Sequence, residues 1–139
     1  MKPQGILETA LYSQNLDVAE RFYRKAVGLD LLSRSGDRHV AFRCGQTVLI
    51  IFNRKLSIER PVMGARAPVP PHGTQGPGHV CFSVYGEQMP LWVDRLTRER
   101  VRIEADFTWP TGGRSLFFRD PDQNCVELAE PRIWPPAEM

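Results

Sequence analysis

The sequence has no apolar run approaching the roughly 20 residues that span a bilayer, so a transmembrane helix is not expected. Its opening, MKPQGILETALYS, has neither the apolar centre nor the small-residue cleavage site of a secretory signal, so the expected location is the cytoplasm. Charge of one sign is also scarce. Eighteen Lys and Arg against sixteen Asp and Glu leave a formal net charge of +2, and the arginines are scattered rather than gathered with aromatics. Nucleic acid is therefore not an expected partner. There are only three cysteines, Cys44, Cys81 and Cys125, far apart and each within an apolar run. An odd, dispersed set without a C-x-x-C pair argues against a disulfide framework or a zinc knuckle and for buried free thiols.

What is present is an ordinary globular composition, 42% hydrophobic and 24% charged over 139 residues. That length suits one compact domain or two small modules sharing a core. Residues 6–13 read as a strand. Asn15 is placed to cap a helix over 16–27, whose Leu16, Ala19, Phe22, Tyr23 and Ala26 recur at three- and four-residue intervals. Gly28 supplies a left-handed C-terminal residue. Strands are expected over 29–34, 40–44 and 47–52, separated by turn residues. The periodicity then stops. Five prolines between positions 61 and 77, set among glycines and charges, mark a loop that is either a linker or a lid.

After it the order repeats: a strand over 79–84, a helix over 88–100 and strands over 101–107, 115–119 and 125–129. Asp120-Pro121-Asp122-Gln123-Asn124 forms the last reversal. The expected fold class is α+β: two tandem βαβββ modules forming a cupped, incompletely closed eight-stranded sheet with the helices outside. The modules fall at 1–53 and 78–133, the linker or lid at 54–77 and a tail at 134–139. Neither module buries its sheet face alone, so the two pack together or pair across a dimer.

Laying one copy over the other puts Glu8 and His79 at the same repeat position and matches Glu127 to Leu49. Glu8 lies near Leu7 and Leu11, and Glu127 lies between Val126 and Leu128. A carboxylate among apolar strand neighbours is costly unless it has a partner. One imidazole and two carboxylates give an N,O,O set with open positions, suited to one divalent ion: Mn, Fe, Ni, Co or Zn. Such an ion chelates substrate oxygens and acts as a Lewis acid. Arg43, Arg114 and Arg119 lie in or beside strands and present donor forks to an anionic or oxygen-rich substrate. His72 belongs to the site if the linker folds over as a lid. Trp109 and Phe117 are candidate pocket walls, and Trp134 in the tail is an exposed apolar docking residue.

Three segments carry a family resemblance: Asn15-Leu16-Asp17 with Glu20-Arg21-Phe22-Tyr23 and Val27-Gly28-Leu29; Gly78-His79-Val80-Cys81-Phe82; and Phe117-Phe118-Arg119-Asp120-Pro121-Asp122 with Asn124 and Val126-Glu127-Leu128. They resemble the vicinal oxygen chelate superfamily of glyoxalases, bleomycin resistance proteins and extradiol dioxygenases. The resemblance implies metal ligands at His79 and Glu127, and a third at Glu8, where many members carry His and some Glu or Gln. It implies a homodimer, a small substrate with two adjacent oxygens, and Glu8 or Glu127 as a general base. Glyoxalase I has a further Glu ligand, here matched to Leu49, which points instead to a three-ligand site. Two other activities remain open: a metal-independent, bleomycin-resistance-like protein that sequesters a ligand, and a fosfomycin-resistance-like thiol transferase.

Overall fold

The computed structural model describes residues 1–137, which divide into two compact units, the second beginning at His79. In the first unit the order is β1 (Glu8–Ser13), α1 (Leu16–Lys25), β2 (Asp30–Ser35), β3 (His39–Cys44), β4 (Thr47–Asn53) and a short α2 (Arg54–Ser57). The second unit contains β5 (His79–Ser83), α3 (Met89–Arg98), β6 (Ala105–Thr108), β7 (Arg114–Arg119) and β8 (Cys125–Ala129). Short 3₁₀ turns over Gly86–Gln88 and Pro131–Ile133 flank α3 and follow β8. Both the α+β class and the tandem βαβββ order are as expected.

Each unit holds one four-stranded sheet of the same topology, β1-β4-β3-β2 and β5-β8-β7-β6. In each, the first strand runs parallel to the last and the remaining pairs are antiparallel. A parallel neighbour needs a long crossover, and in both copies the helix and two strands supply it.

The local chemistry explains the elements. The Asn15 side chain accepts from the backbone N–H of Asp17 and Val18, closing the N-terminus of α1. Gly28, at φ 77°, turns the chain so that the Leu29 amide returns to the Tyr23 carbonyl. On one face of the first sheet Leu11, Val40, Phe42, Leu49 and Ile51 are buried, with Tyr23 of α1 against Phe42 at 5.9 Å. The equivalent face of the second sheet buries Val80, Phe82, Leu116, Phe118, Val126 and Leu128. Each such large apolar side chain contributes about 1.5–3 kcal/mol of burial.

Four expectations need correction. Residues 6 and 7 stay outside β1, with Ile6 and Leu7 largely exposed; the paired register with β4 starts at Glu8, and the Leu7 carbonyl only accepts the Val48 amide at its edge. The strand expected from Val101 begins at Ala105, the first residue paired to β7. The segment after β4 is not wholly irregular, since the Asn53 side chain caps α2. Finally, the thiols are not all buried: Cys44 and Cys125 are half-buried and Cys81 is exposed, all three free. Among the described residues no helix is long and apolar enough to cross a membrane.

Candidate functional site

The strand ladders decide which side chains share a face. Glu8 pairs with Val48 in the first sheet and His79 with Cys125 in the second. With Glu8 and His79 equivalent, Val48 matches Cys125 and Ile50 matches Glu127. The correspondence of Glu127 with Leu49 is thus out by one residue. Side chains alternate along a strand, so that slip changes the face, and Leu49 is buried in the core on the other side. Ile50, the true counterpart, is equally unable to bind a cation.

On the Glu127 face of the second sheet lie His79 and Cys81 of β5, Phe117 and Ser115 of β7, and Phe107 of β6. Glu127 is 5% exposed and is the focus of this face. Its Oε2 accepts from the Ser115 hydroxyl at 2.7 Å, and its Oε1 stands 3.3 Å from His79 Nε2. His79 Nδ1 is 2.9 Å from the Cys125 carbonyl. A carbonyl only accepts, so Nδ1 carries the proton. In the neutral ring, Nε2 then directs its lone pair toward the carboxylate oxygen, an arrangement that calls for a proton or a cation between them. Backbone anchoring of one ring nitrogen is also how proteins orient an imidazole whose other nitrogen binds metal.

Cys81 hydrogen-bonds Glu127. Crowding around its sulfur, followed by the charge and hydrogen bond of Glu127, pushes the thiol up to about 12. It therefore stays protonated and points to no thiolate nucleophile. Phe117 stacks between His79 (6.4 Å) and Phe107 (5.7 Å), and Phe107 meets Trp109 edge-on at 4.9 Å. The Trp109 indole N–H donates to Ser115 Oγ at 2.8 Å.

The model of the Glyoxalase/Bleomycin resistance protein/Dioxygenase superfamily matches residues 5–128. The chain belongs to this superfamily. Among solved structures it is similar to a lactoylglutathione lyase from Agrobacterium tumefaciens, with 35% identity and a TM-score of 0.86 over 96% of this chain and 98% of that one. A glyoxalase/bleomycin resistance protein/dioxygenase from Nocardioides shares the fold at 17% identity and TM-score 0.73, covering all of this chain and 91% of that one. So does a fosfomycin resistance protein from Listeria monocytogenes, at 17% identity and TM-score 0.67 over 93% and 94%. The search of curated proteins gives no match.

The remaining candidates of this superfamily member fall in different places. Glu8 is in the first unit and exposed, on the face opposite Leu11, so its carboxylate does not carry the burial cost expected from its neighbours. Arg43, on the same face of the first sheet, is exposed and reaches the Thr47 carbonyl at 3.4 Å. Arg114 alternates to the face opposite Glu127, where Asp106 takes both ends of its fork at 2.8 Å. Arg119 shares the Glu127 face but pairs with Glu104 at 2.8 Å. His72 packs edge-on against Phe52 at 4.6 Å, and its Nδ1 is 2.7 Å from the Tyr12 hydroxyl. Its amide also donates to the Ser57 carbonyl, so this part of the 54–77 segment docks on the first unit. Trp134 is exposed, as expected.

No group of three His, Cys, Asp or Glu side chains gathers to hold a metal among the described residues. What sequence reasoning missed are Ser115, Cys81 and Phe107. Counting every second residue from Glu127's partners across the ladder finds all three, but only once the register is known.

Proposed function

We propose that the protein is a metal-dependent vicinal oxygen chelate enzyme acting on a small substrate with two adjacent oxygens, with Glu8, His79 and Glu127 as ligands. The observation that carries this reading is the approach of His79 Nε2 to Glu127 Oε1 at 3.3 Å with no hydrogen of a neutral ring between them. Two ligands about 2.0–2.1 Å from one ion, at tetrahedral to octahedral angles, stand roughly 2.9–3.4 Å apart. The donor set therefore fits Mn, Fe, Ni, Co or Zn. When bound, the ion supplies a Lewis acid for the substrate's paired oxygens. Glu127, whose Oε2 accepts from Ser115, turns Oε1 toward His79, where it is available to a cation or to a proton taken from the substrate; the exposed Glu8 is available in the same way. Phe117, Phe107 and Trp109 form an aromatic wall beside His79 for the apolar part of a substrate. Arg43, Arg119, Arg114 and His72 are candidates for its polar groups; of these, Arg114 must first leave Asp106. A homodimer is the proposed assembly.

Lactoylglutathione lyase is the activity to assay first, because a protein of that name shares 35% of its residues with this chain. The resemblance gives the fourth ligand of glyoxalase I to Leu49, and the strand register moves the counterpart of Glu127 to Ile50; neither side chain binds a cation, which favours a three-ligand relative of that chemistry instead. Metal content measured on protein purified without a His-tag tests the reading. Near one divalent ion per chain, lost in Glu8→Ala, His79→Ala and Glu127→Ala, is the expected result. No binding after reconstitution with Mn, Fe, Ni, Co and Zn would sink it. A ligand-sequestering protein of the bleomycin-resistance kind, using the same aromatic wall, would then be the better account.

A further inference from the structure

Ser115 has one hydroxyl proton and two neighbours, and their chemistry fixes where that proton goes. The Trp109 indole N–H is a donor only and lies 2.8 Å from Ser115 Oγ. The serine must accept from it. Its own proton then points to Glu127 Oε2, 2.7 Å away. Ser115 is fully buried, so bulk water does not offer a competing arrangement. The two oxygens of Glu127 are thereby made unequal: Oε2 is occupied by a directed, buried donor, and Oε1 faces His79, with the Cys81 thiol also bonded to the carboxylate.

The far end of this chain is held as firmly. Trp109 opens the β6–β7 turn, where its amide donates to the Gly113 carbonyl and its carbonyl accepts from Gly112, both at 2.9 Å. The Arg114 amide beside the turn donates to the Glu130 carboxylate at 2.6 Å. Gly113, at φ 85°, lies so close to Ile133 that an added Cβ would sit 2.7 Å from its Cγ2.

We infer that Trp109 and Ser115 are positioning residues: together they orient the Glu127 carboxylate so that a single oxygen, Oε1, is presented beside His79 Nε2. This deepens the proposed metal-dependent reading and rests on it for its functional consequence, but the relay itself is a property of the metal-free protein. Outer partners of this kind are worth about 10–100-fold in metal affinity.

The test has two arms. In metal-free protein, the indole N–H signals of Trp92, Trp109 and Trp134 are followed by ¹H–¹⁵N NMR in wild type, Ser115→Ala and Glu127→Gln. Ser115→Ala should move the Trp109 signal and speed its hydrogen exchange. Glu127→Gln should move it less, and the other two indoles should stay in place. A Trp109 signal identical in Ser115→Ala and wild type would overturn the relay, whatever the protein binds. In the second arm Ni²⁺ is titrated calorimetrically into each variant. Ser115→Ala should bind about 10–100-fold more weakly, and Trp109→Phe, which keeps the ring and loses the donor, about threefold to tenfold more weakly. Unchanged Ni²⁺ affinity in both variants would overturn the positioning role. If the wild type does not bind Ni²⁺, the same titration is made with Mn²⁺, Fe²⁺, Co²⁺ and Zn²⁺; binding of none of them would defeat the metal-dependent function and the positioning role with it, while the relay is decided by the NMR result.

Discussion

Replacing Glu127 by Gln should make the metal-free protein more stable and the metal-loaded protein less so. Glu127 is 5% exposed, and its Oε1 faces the imidazole Nε2 at 3.3 Å. With the ring neutral and Nδ1 protonated, two acceptors confront each other there. The Gln isostere resolves this: its carbonyl oxygen keeps the Ser115 bond and its amide N–H donates to His79. Relieving one buried, poorly satisfied charge is worth about 1 kcal/mol, the low end of the cost of such a group. For a chain of this length that raises Tm by about 3–5 °C. A divalent ion at a hundredfold over its Kd stabilises the wild type by about 2.7 kcal/mol. The variant, having lost a ligand, gains far less, so the order of stabilities should reverse. Urea or thermal melts of both proteins in EDTA and in Ni²⁺ or Mn²⁺ provide the assay. If Glu127→Gln is less stable than wild type in EDTA, the reasoning fails. Glu127 is then a structural partner of a protonated His79, and not a carboxylate kept at a cost for a cation.

Two further outcomes follow from the second unit. Gly113→Ala should destabilise by about 1–3 kcal/mol, since it puts a side chain at φ 85° and within 2.7 Å of Ile133; a Tm no lower than wild type would show that the β6–β7 turn is not pinned as described. The bidentate Arg114 holds the Asp106 carboxyl below its usual range. Its folded-state pKa is depressed, so the pair stabilises above the unfolded value and that contribution is lost as pH falls through the folded one. Wild type should thus exceed Asp106→Asn by a few tenths to about 1 kcal/mol near pH 6, discounted for exposure, with the gap closing as pH falls through the lowered folded-state value. A gap independent of pH would contradict the ion pair.

Much of the fold was legible because its signals are local. The Asn15 cap, the apolar spacing of α1, Gly28 and the repeat after Gly78 are each written within a few residues, and each corresponds to an observed element. His79 and Glu127 also stood out locally, as polar residues in apolar strands, and the structure brings them together within one unit.

What tertiary structure alone decided is which side chains face one another. The β1–β4 and β5–β8 pairs join strands about 40 residues apart, and nothing in either strand states the register. A one-residue slip reverses every side chain. Matching Glu127 to Leu49 instead of Ile50 is such a slip, and Ser115, Cys81 and Phe107 join the Glu127 face only through the ladders of the second sheet. The same alternation put Arg114 on the face away from Glu127 and left Glu8 exposed despite its apolar neighbours. The sequence by itself determined the modules and the residue types capable of chemistry, because caps, turns and periodicity act over a few residues. The ladder decided the site, because the hydrogen bonds that set register connect residues that composition and spacing leave unrelated.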